Sequence, residues 1–436
     1  MLMTQTKEHI LADYNTNLME KVVELSNTKK AIERVESNKG AAGVDNMQTK
    51  ELRPYLIANW IRIKQELLEG TYKPAPVRRV EIPKQDGGVR QLGIPTVLDR
   101  FIQQAIQQVL TPIMEPEFSE NSYGFRPNKS ARQAVRKAQE YIKSGKRTVV
   151  DIDLEKFFDR VNHDILMTKV AKYVHDKRIH RIIRNYLQAG VMLNGCCVTS
   201  EEGTPQGGPL SPLLANIMLN DLDHELTRRG HSFVRYADDC NIYVSSKRAG
   251  QRVYQGAKKF LSERLKLKIN EEKSAVDNPN KRKFLGFTFI NCDEAKLRLA
   301  QRTREKFKEQ VRKLTNRNCG MSLEAMIRRL NSYLLGWIGY YGIVQCENTF
   351  PGLDGWIRRR LRMYMLKQWK DCKTKLRNLV ALGLSIKWAG CIAFSRKQYW
   401  RLSQTQQINE ALSNAYWRKQ GLVELAEKNR KMLVST

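Results

Sequence analysis

The sequence has no run of about 18 uninterrupted apolar residues, the length a helix needs to cross a bilayer. Its first ten residues, MLMTQTKEHI, hold no apolar stretch of the kind that opens a secretory leader. These two lacks predict a soluble, cytoplasmic protein (nuclear, in a eukaryote) with no membrane partner. Cysteine pairing is missing too. The eight cysteines, Cys196, Cys197, Cys240, Cys292, Cys319, Cys346, Cys372 and Cys391, form no C-x-x-C pair, and no histidine follows at zinc-finger spacing. Neither a disulfide framework nor a structural zinc is therefore expected, and the thiols read as reduced and structural. No internal repeat and no low-complexity tract interrupts the chain. The largest shortage is of acid: 45 Asp and Glu face 76 Lys and Arg, a formal net charge of +31. A charge of that size points to a polyanionic partner, because each phosphate neutralised releases condensed counterions. On charge alone, a solvated or ribosomal basic surface accounts for it equally well.

A chain of 436 residues has room for two or three domains, each with its own core. Apolar periodicity predicts helices over 18–35 and 56–70, with the Gly-rich loop NKGAAGVDN (38–46) between them. The segment 73–95 is rich in β-branched residues, and Asp86-Gly87-Gly88 within it marks a hairpin turn. Helices over 99–114 and 131–145, a strand over 147–154 and a helix capped by Asn162 follow. After the loop GTPQGGP (203–209), a helix over 211–230 leads into two short strands over 231–246, then a helix over 256–269 and a strand over 283–289. Helices mixed with antiparallel hairpins make an α+β domain. After residue 295 the text changes: residues 296–436 hold 29 Lys and Arg against 9 Asp and Glu, and six of the seven tryptophans.

In VVDIDLEKFFD (149–159), strand alternation puts Asp151 and Asp153 on one face and Ile152 and Leu154 on the other. An apolar strand that ends in carboxylates faces a cavity or an ion, since burying bare charge is costly. YADD (236–239) offers a matching half, two carboxylates at a strand-to-strand turn flanked by apolar text. A lone Asp-Asp pair is more often an ordinary turn; the two stretches together carry the stronger reading. With the strands side by side, Asp153 faces Asp238 and Asp239. Three close carboxylates repel unless a hard divalent cation neutralises them, and oxygen ligands select Mg2+ or Mn2+ over zinc. Such a site suits phosphoryl transfer by two ions, one activating a primer 3′-hydroxyl and one holding a triphosphate.

YADD, with DIDLEKFFD about 80 residues before it, resembles the palm of reverse transcriptases. The surrounding text resembles one branch of them, the reverse transcriptase–maturases encoded by group II introns, of the bacterial type without an endonuclease domain. The matching stretches are IPKQDGGVRQLGIPTVLDRFIQQA (82–105), SYGFRPNKSA (122–131), GTPQGGPLSPLLANIMLNDLD (203–223), VRYADDC (234–240) and KFLGF (283–287). They continue through NSYLLGWIGYYG (331–342) and WIRRRLRMYMLKQWK (356–370), which resemble the family's maturase, or thumb, domain. The resemblance implies an α+β right-hand polymerase whose fingers and antiparallel palm precede a helical thumb. The boundaries it suggests are a helical N-terminal extension (1–72), fingers and palm (73–295), thumb/maturase domain (296–375) and a basic C-terminal DNA-binding region (376–436).

By position in the family's motifs, Asp153, Asp238 and Asp239 are the catalytic metal ligands for two Mg2+ ions, with Mn2+ as substitute. Phe158 takes the sugar-gate position, where a bulky ring clashes with a ribose 2′-hydroxyl; plain core packing is its bland alternative. Lys84 and Arg90, flanking the 86–88 turn, together with Gln206 and Lys273, complete the expected dNTP pocket. In the thumb, Arg358, Arg359, Arg360, Arg362, Lys367 and Lys370 are the expected nucleic-acid contacts, while Trp337, Trp356 and Trp369 fit a helical core. The implied function is an RNA-directed DNA polymerase that binds its group II intron RNA, assists splicing, and copies the intron into target DNA from an RNA template and DNA primer. Two alternatives stay open: a domesticated reverse transcriptase serving defence or repair, and an RNA-binding splicing factor with a relic polymerase. The absence of a Cys/His cluster near MLVST predicts no endonuclease, and the length leaves no room for an RNase H domain.

Overall fold

The computed structural model describes residues 17–83, 89–193, 196–198, 203, 207–290 and 294–434. The chain divides into two units, one of Met1–Tyr141 and Lys146–Asp277, the other of Ile142–Gly145 and Asn278–Thr436.

The first unit opens with helices α1 (Leu18–Val22), α2 (Leu25–Asn38) and α3 (Leu52–Glu69). The single helix expected over 18–35 is broken because Glu24 adopts an extended conformation, and Met19 N–H is held by the Asp176 carboxylate at 3.0 Å. Strands β1 (Val77–Pro83) and β2 (Val89–Ile94) form the expected hairpin, whose tip lies outside the described residues. Then come α4 (Val97–Met114), α5 (Ala131–Lys143), β3 (Thr148–Ile152), α6 (His163–Ala171) and α7 (Lys177–Gln188). Asn162 caps α6, its side chain accepting the Ile165 N–H. Strands β4 (Val191–Leu193) and β5 (Cys196–Val198), helix α8 (Ser211–Arg228), strands β6 (Ser232–Tyr236) and β7 (Asp239–Val244), helix α9 (Lys247–Arg264) and strand β8 (Ala275–Asp277) complete the unit. Helix α9 starts well before the expected 256, because Ser246 caps it and Gly250 and Gly256 weaken its helical signal.

Two four-stranded sheets result. One runs β2-β1-β4-β5, with β1 and β4 parallel; the other runs β6-β7-β3-β8 and is antiparallel throughout. Every residue of β3 is buried, as befits a strand flanked on both edges. Leu214, Ile217 and Met218 of α8 join Val150, Ile152, Phe233 and Ile242 of the sheet in one core. Burying such side chains contributes roughly 1.5–3 kcal/mol each, so the sheet carrying both acidic motifs is anchored from behind.

The second unit has the hairpin of β9 (Phe287–Ile290) and β10 (Lys296–Leu299) followed by helices. The strand expected over 283–289 starts late: Phe284 and Phe287 bridge a tight turn at Leu285-Gly286, both at positive φ. The helices are α10 (Gln301–Leu314), α11 (Leu323–Tyr341), α12 (Thr349–Gln368), α13 (Cys372–Ala381), α14 (Ile386–Ala393), α15 (Tyr399–Leu402), α16 (Gln406–Ala411), α17 (Asn414–Lys419) and α18 (Leu425–Val434). Aromatic rings knit α10, α11 and α12 together: Phe307 to Trp337 at 4.2 Å, Trp337 to Tyr341 at 4.8 Å, and Trp337 edge-on to Phe350 at 6.2 Å. Trp417 is fully buried, and its indole N–H donates to the Leu412 carbonyl. Among the described residues, no helix is long and apolar enough to cross a membrane.

Candidate active site

Asp153 and the acidic pair come from separate stretches, and strand register decides whether they meet. Along β3 and β7, Asp151 pairs with Asn241 and Ile152 with Cys240. The next residue outward is Asp153 on one strand and Asp239 on the other. On the far side of β7, Tyr236 pairs with Asp239, which leaves Ala237 and Asp238 as a two-residue turn. Ala237 sits at φ +58°, in the left-handed region such tight hairpin turns demand. All three carboxylates thus stand at the same end of one sheet, each partly exposed.

The supports around them are short and specific. The Asp153 N–H donates to Ser274 Oγ at 2.9 Å, and its carbonyl accepts the Asn270 N–H at 2.8 Å. Asp239 Oδ1 accepts from Asn241 Nδ2 at 3.1 Å. Among the described residues, no three His, Cys, Asp or Glu side chains are gathered into a ready-made ion cage. Like charges spread apart, and a divalent ion between them would draw them in. The donor set is wholly carboxylate oxygen, which fits a hard divalent ion and disfavours zinc.

A second layer escaped the sequence reading. Arg235 of β6 and Asp223 of α8 are both fully buried. The Arg235 guanidinium forks onto Asp223, with Nε at 2.8 Å from Oδ1 and Nη2 at 2.6 Å from Oδ2. Its Nη1 donates to Asn216 Oδ1 at 3.0 Å and to the Ala237 carbonyl at 2.8 Å, inside the acidic turn. Asn216 Nδ2 in turn donates to the Gly124 carbonyl at 2.8 Å. Gly124 packs so tightly on the turn that a Cβ there would lie 2.3 Å from the Ala237 nitrogen, so any side chain would displace it. One buried ion pair therefore holds both the turn and the segment pressed against it. The signal was present as an Arg within the apolar strand text SFVRY (232–236) and as Asp223, spaced by seven residues from Asn216 along the helix ANIMLNDLD (215–223). Cys240, beside the turn, is fully buried, and burial pushes its thiol pKa up, so the sulfur stays protonated and inert.

Phe158 lies in a turn after β3, partly buried, packed edge-on against Phe157 at 5.1 Å and against the core. Gly203 closes on that turn from the loop before α8, its N–H donating to the Val161 carbonyl and its carbonyl meeting His163 Nε2 at 2.6 Å. Lys273 is exposed in the same tight segment whose Asn270 and Ser274 clamp Asp153. Arg90 stands on β2 opposite Ile82. Lys84 and Gln206 lie outside the described residues. The glycine after Gln206 is described: Gly207, at φ +130°, approaches the Gly93 carbonyl of β2, where a Cβ would come to 2.6 Å.

Residues 82–289 match the family model of the reverse transcriptase (RNA-dependent DNA polymerase), and residues 304–381 match that of the group II intron maturase-specific domain. Protein YkfC of Escherichia coli K12 is 33% identical over 294 residues, covering 58% of this chain and 76% of that protein. The group II intron-encoded protein LtrA of Lactococcus lactis is 31% identical over 292 residues, covering 52% of this chain and 49% of LtrA. The chain belongs to the group II intron reverse transcriptase–maturases. It spans about half the length of LtrA. Among solved structures, the reverse-transcriptase-bearing chain of a partial Cas6-RT-Cas1–Cas2 complex is similar at 25% identity and a TM-score of 0.37, over 56% of this chain and 42% of that one. Membership makes the chain an RNA-directed DNA polymerase, a class that uses divalent metal ions.

The cations expected to grip nucleic acid in the maturase domain do not form one exposed stripe. Arg360 donates to Thr315 Oγ1 and to the Thr315 and Arg312 carbonyls, closing the C-terminal end of α10. Arg362 is 7% exposed and donates through Nε and Nη2 to the Leu412 carbonyl at 3.0 and 2.9 Å, at the end of α16. Arg359 donates to the Trp400 carbonyl and stacks over the Trp400 ring at 3.8 Å. Arg358 is half-buried, whereas Lys367 and Lys370 are exposed. Of the tryptophans expected in the core, Trp337 packs among rings, while Trp356 is half-buried beneath Lys308 and Arg312 at 5.5 and 5.7 Å.

Proposed function

We propose that this chain binds the group II intron RNA that encodes it, assists its splicing, and copies it into target DNA, with Asp153, Asp238 and Asp239 holding two Mg2+ ions. The observation that carries the reading is the register of β3, β7 and β6, which sets Asp153 beside Asp239 and leaves Asp238 in the adjoining turn. Bound there, the ions would supply Lewis-acid activation of a primer 3′-hydroxyl and would neutralise the triphosphate and its leaving pyrophosphate. The protein's share is to fix the carboxylates, through the Ser274 and Asn270 clamp on Asp153 and the Arg235 bond to the turn. Phe158, in the turn after β3, would exclude a ribose 2′-hydroxyl by its bulk. Lys84, Arg90, Gln206 and Lys273 would meet the phosphates and sugar of the incoming dNTP.

In this reading residues 1–72 are a helical N-terminal extension, 73–295 form fingers and palm, 296–375 form the thumb/maturase domain, and 376–436 are a basic region that meets target DNA. The test is primer extension by the purified chain on an RNA template with dNTPs and Mg2+, beside Asp238→Ala, and splicing of the cognate intron RNA with and without protein. DNA synthesis that depends on Asp238, together with protein-dependent splicing at low salt, supports the reading; extension by Asp238→Ala at the parent rate overturns the metal assignment.

A further inference from the structure

Within the second unit, α12 and the short helices after it border an open groove of about 650 Å3, inside the roughly 300–1,000 Å3 range of small-ligand sites. Arg358, Arg359 and Arg362 of α12 line it on one side, and Gln404, Asn409 and Asn414 come from the later helices and their connections; Trp356 also contributes. Among its described lining residues none is acidic.

The three guanidiniums are poorly compensated by the protein itself. Arg362 meets only a neutral carbonyl, that of Leu412, and burial, with the nearby Arg358 charge, pushes its pKa down to about 10. Arg359 has a carbonyl and an indole face as partners, while its Nε is buried with none. Arg358 has Glu424 no nearer than 4.0 Å, and that carboxylate is engaged by Arg418 at 2.9 and 3.1 Å. The two carboxylates near Arg358 are both committed elsewhere, Glu424 to Arg418 and the buried Asp354 to the Leu425 and Ala426 N–H groups at 3.0 and 2.9 Å. Crowded, half-dry cations of one sign destabilise a fold unless an anion joins them. Guanidinium forks match phosphate oxygens, and the neutral amides of Gln404, Asn409 and Asn414 offer what a base edge requires.

We propose that this groove seats one nucleotide unit of a single-stranded polynucleotide, its phosphate on Arg358 and Arg359 and its base toward the amides of Gln404, Asn409 and Asn414. Arg362 supports them from beneath while bracing Leu412. The proposal rests on the reading that the second unit grips nucleic acid, and it narrows a diffuse basic surface to one socket.

The test uses the full chain with single-stranded oligonucleotides carrying 4-thiouridine or 4-thiothymidine, in an RNA arm and a DNA arm. Photo-crosslinks to the segments 355–362 or 403–414 are expected, and the stronger arm identifies the strand the groove holds. Arg358→Gln and Arg359→Gln should each raise Kd roughly five- to tenfold and lower the slope of log K against log salt by about one. Crosslinks confined to other segments, or parent affinity and slope in Arg358→Gln, overturn the proposal. Arg358→Gln is decisive should Arg359→Gln unfold, because Arg358 braces no backbone carbonyl. Inhibition of crosslinking by micromolar uridine 5′-monophosphate or inorganic phosphate would make this a free-nucleotide site and also overturn it. If the parent chain binds no oligonucleotide in either arm, the nucleic-acid reading of the whole unit fails; if it binds but the variants match it, only the socket fails.

Discussion

Asp238 occupies a turn of two residues, so its carboxylate has little freedom to be replaced by a neighbour. Asp238→Ala should reduce primer extension at least ~100-fold while leaving RNA affinity close to the parent, measured by single-turnover extension and filter binding. Phe158 makes a different demand, since in the proposed role its ring would act by bulk. Phe158→Ala should cut the preference for dNTP over NTP by roughly tenfold or more, read as a ratio of kcat/KM values; unchanged discrimination would return Phe158 to simple core packing against Phe157. Both residues stood out as candidates in the sequence because each announces itself locally, as a carboxylate at the end of an apolar strand or as an aromatic at a fixed step beyond it. For Arg360 and Arg362 the sequence showed the charge and not its partners. Their charge is plain in the text, but their bonds run to carbonyls at Thr315 and Leu412, which no local pattern identifies.

At the scale of elements, the β6–β7 hairpin is held from behind by α8 through Arg235 and Asp223. Asp223→Asn leaves a buried cation without its counter-charge, which should destabilise the first unit by about 3–5 kcal/mol, measured by chemical denaturation. Arg235→Lys keeps the charge but loses the fork. It should unfold at lower denaturant and, where folded, need a severalfold higher Mg2+ concentration for half-maximal extension, because the Ala237 carbonyl loses its donor. An unchanged Mg2+ midpoint would show that the pair serves folding alone. The elements were foreseen in kind more than in extent. Glycines hid the start of α9, an extended Glu24 split the first helix, and Leu285-Gly286 turned half of an expected strand into a bend. Each difference is a tertiary contact or a special dihedral overriding propensity.

At the scale of the molecule, charge dominates. With +31 overall, binding to single-stranded RNA should weaken by roughly 10³-fold or more between 50 and 200 mM salt, measured by equilibrium binding across a salt series. A chelator should abolish DNA synthesis and leave that binding largely intact, since the cations that meet phosphate are side chains. Loss of both together would place the metal in RNA recognition as well.

By itself the sequence determined the polymerase family, the presence of the two acidic motifs and the basic character of the second half, because alternation, motif text and composition are properties of neighbouring residues. Only the tertiary structure decided that Arg235 and Asp223 meet behind the acidic turn, and that Arg360 braces the end of a helix while Arg358, Arg359 and Arg362 line a groove. Those facts depend on which distant backbone atoms come within 3 Å of a guanidinium, and that distance is set by the packing of whole helices and strands.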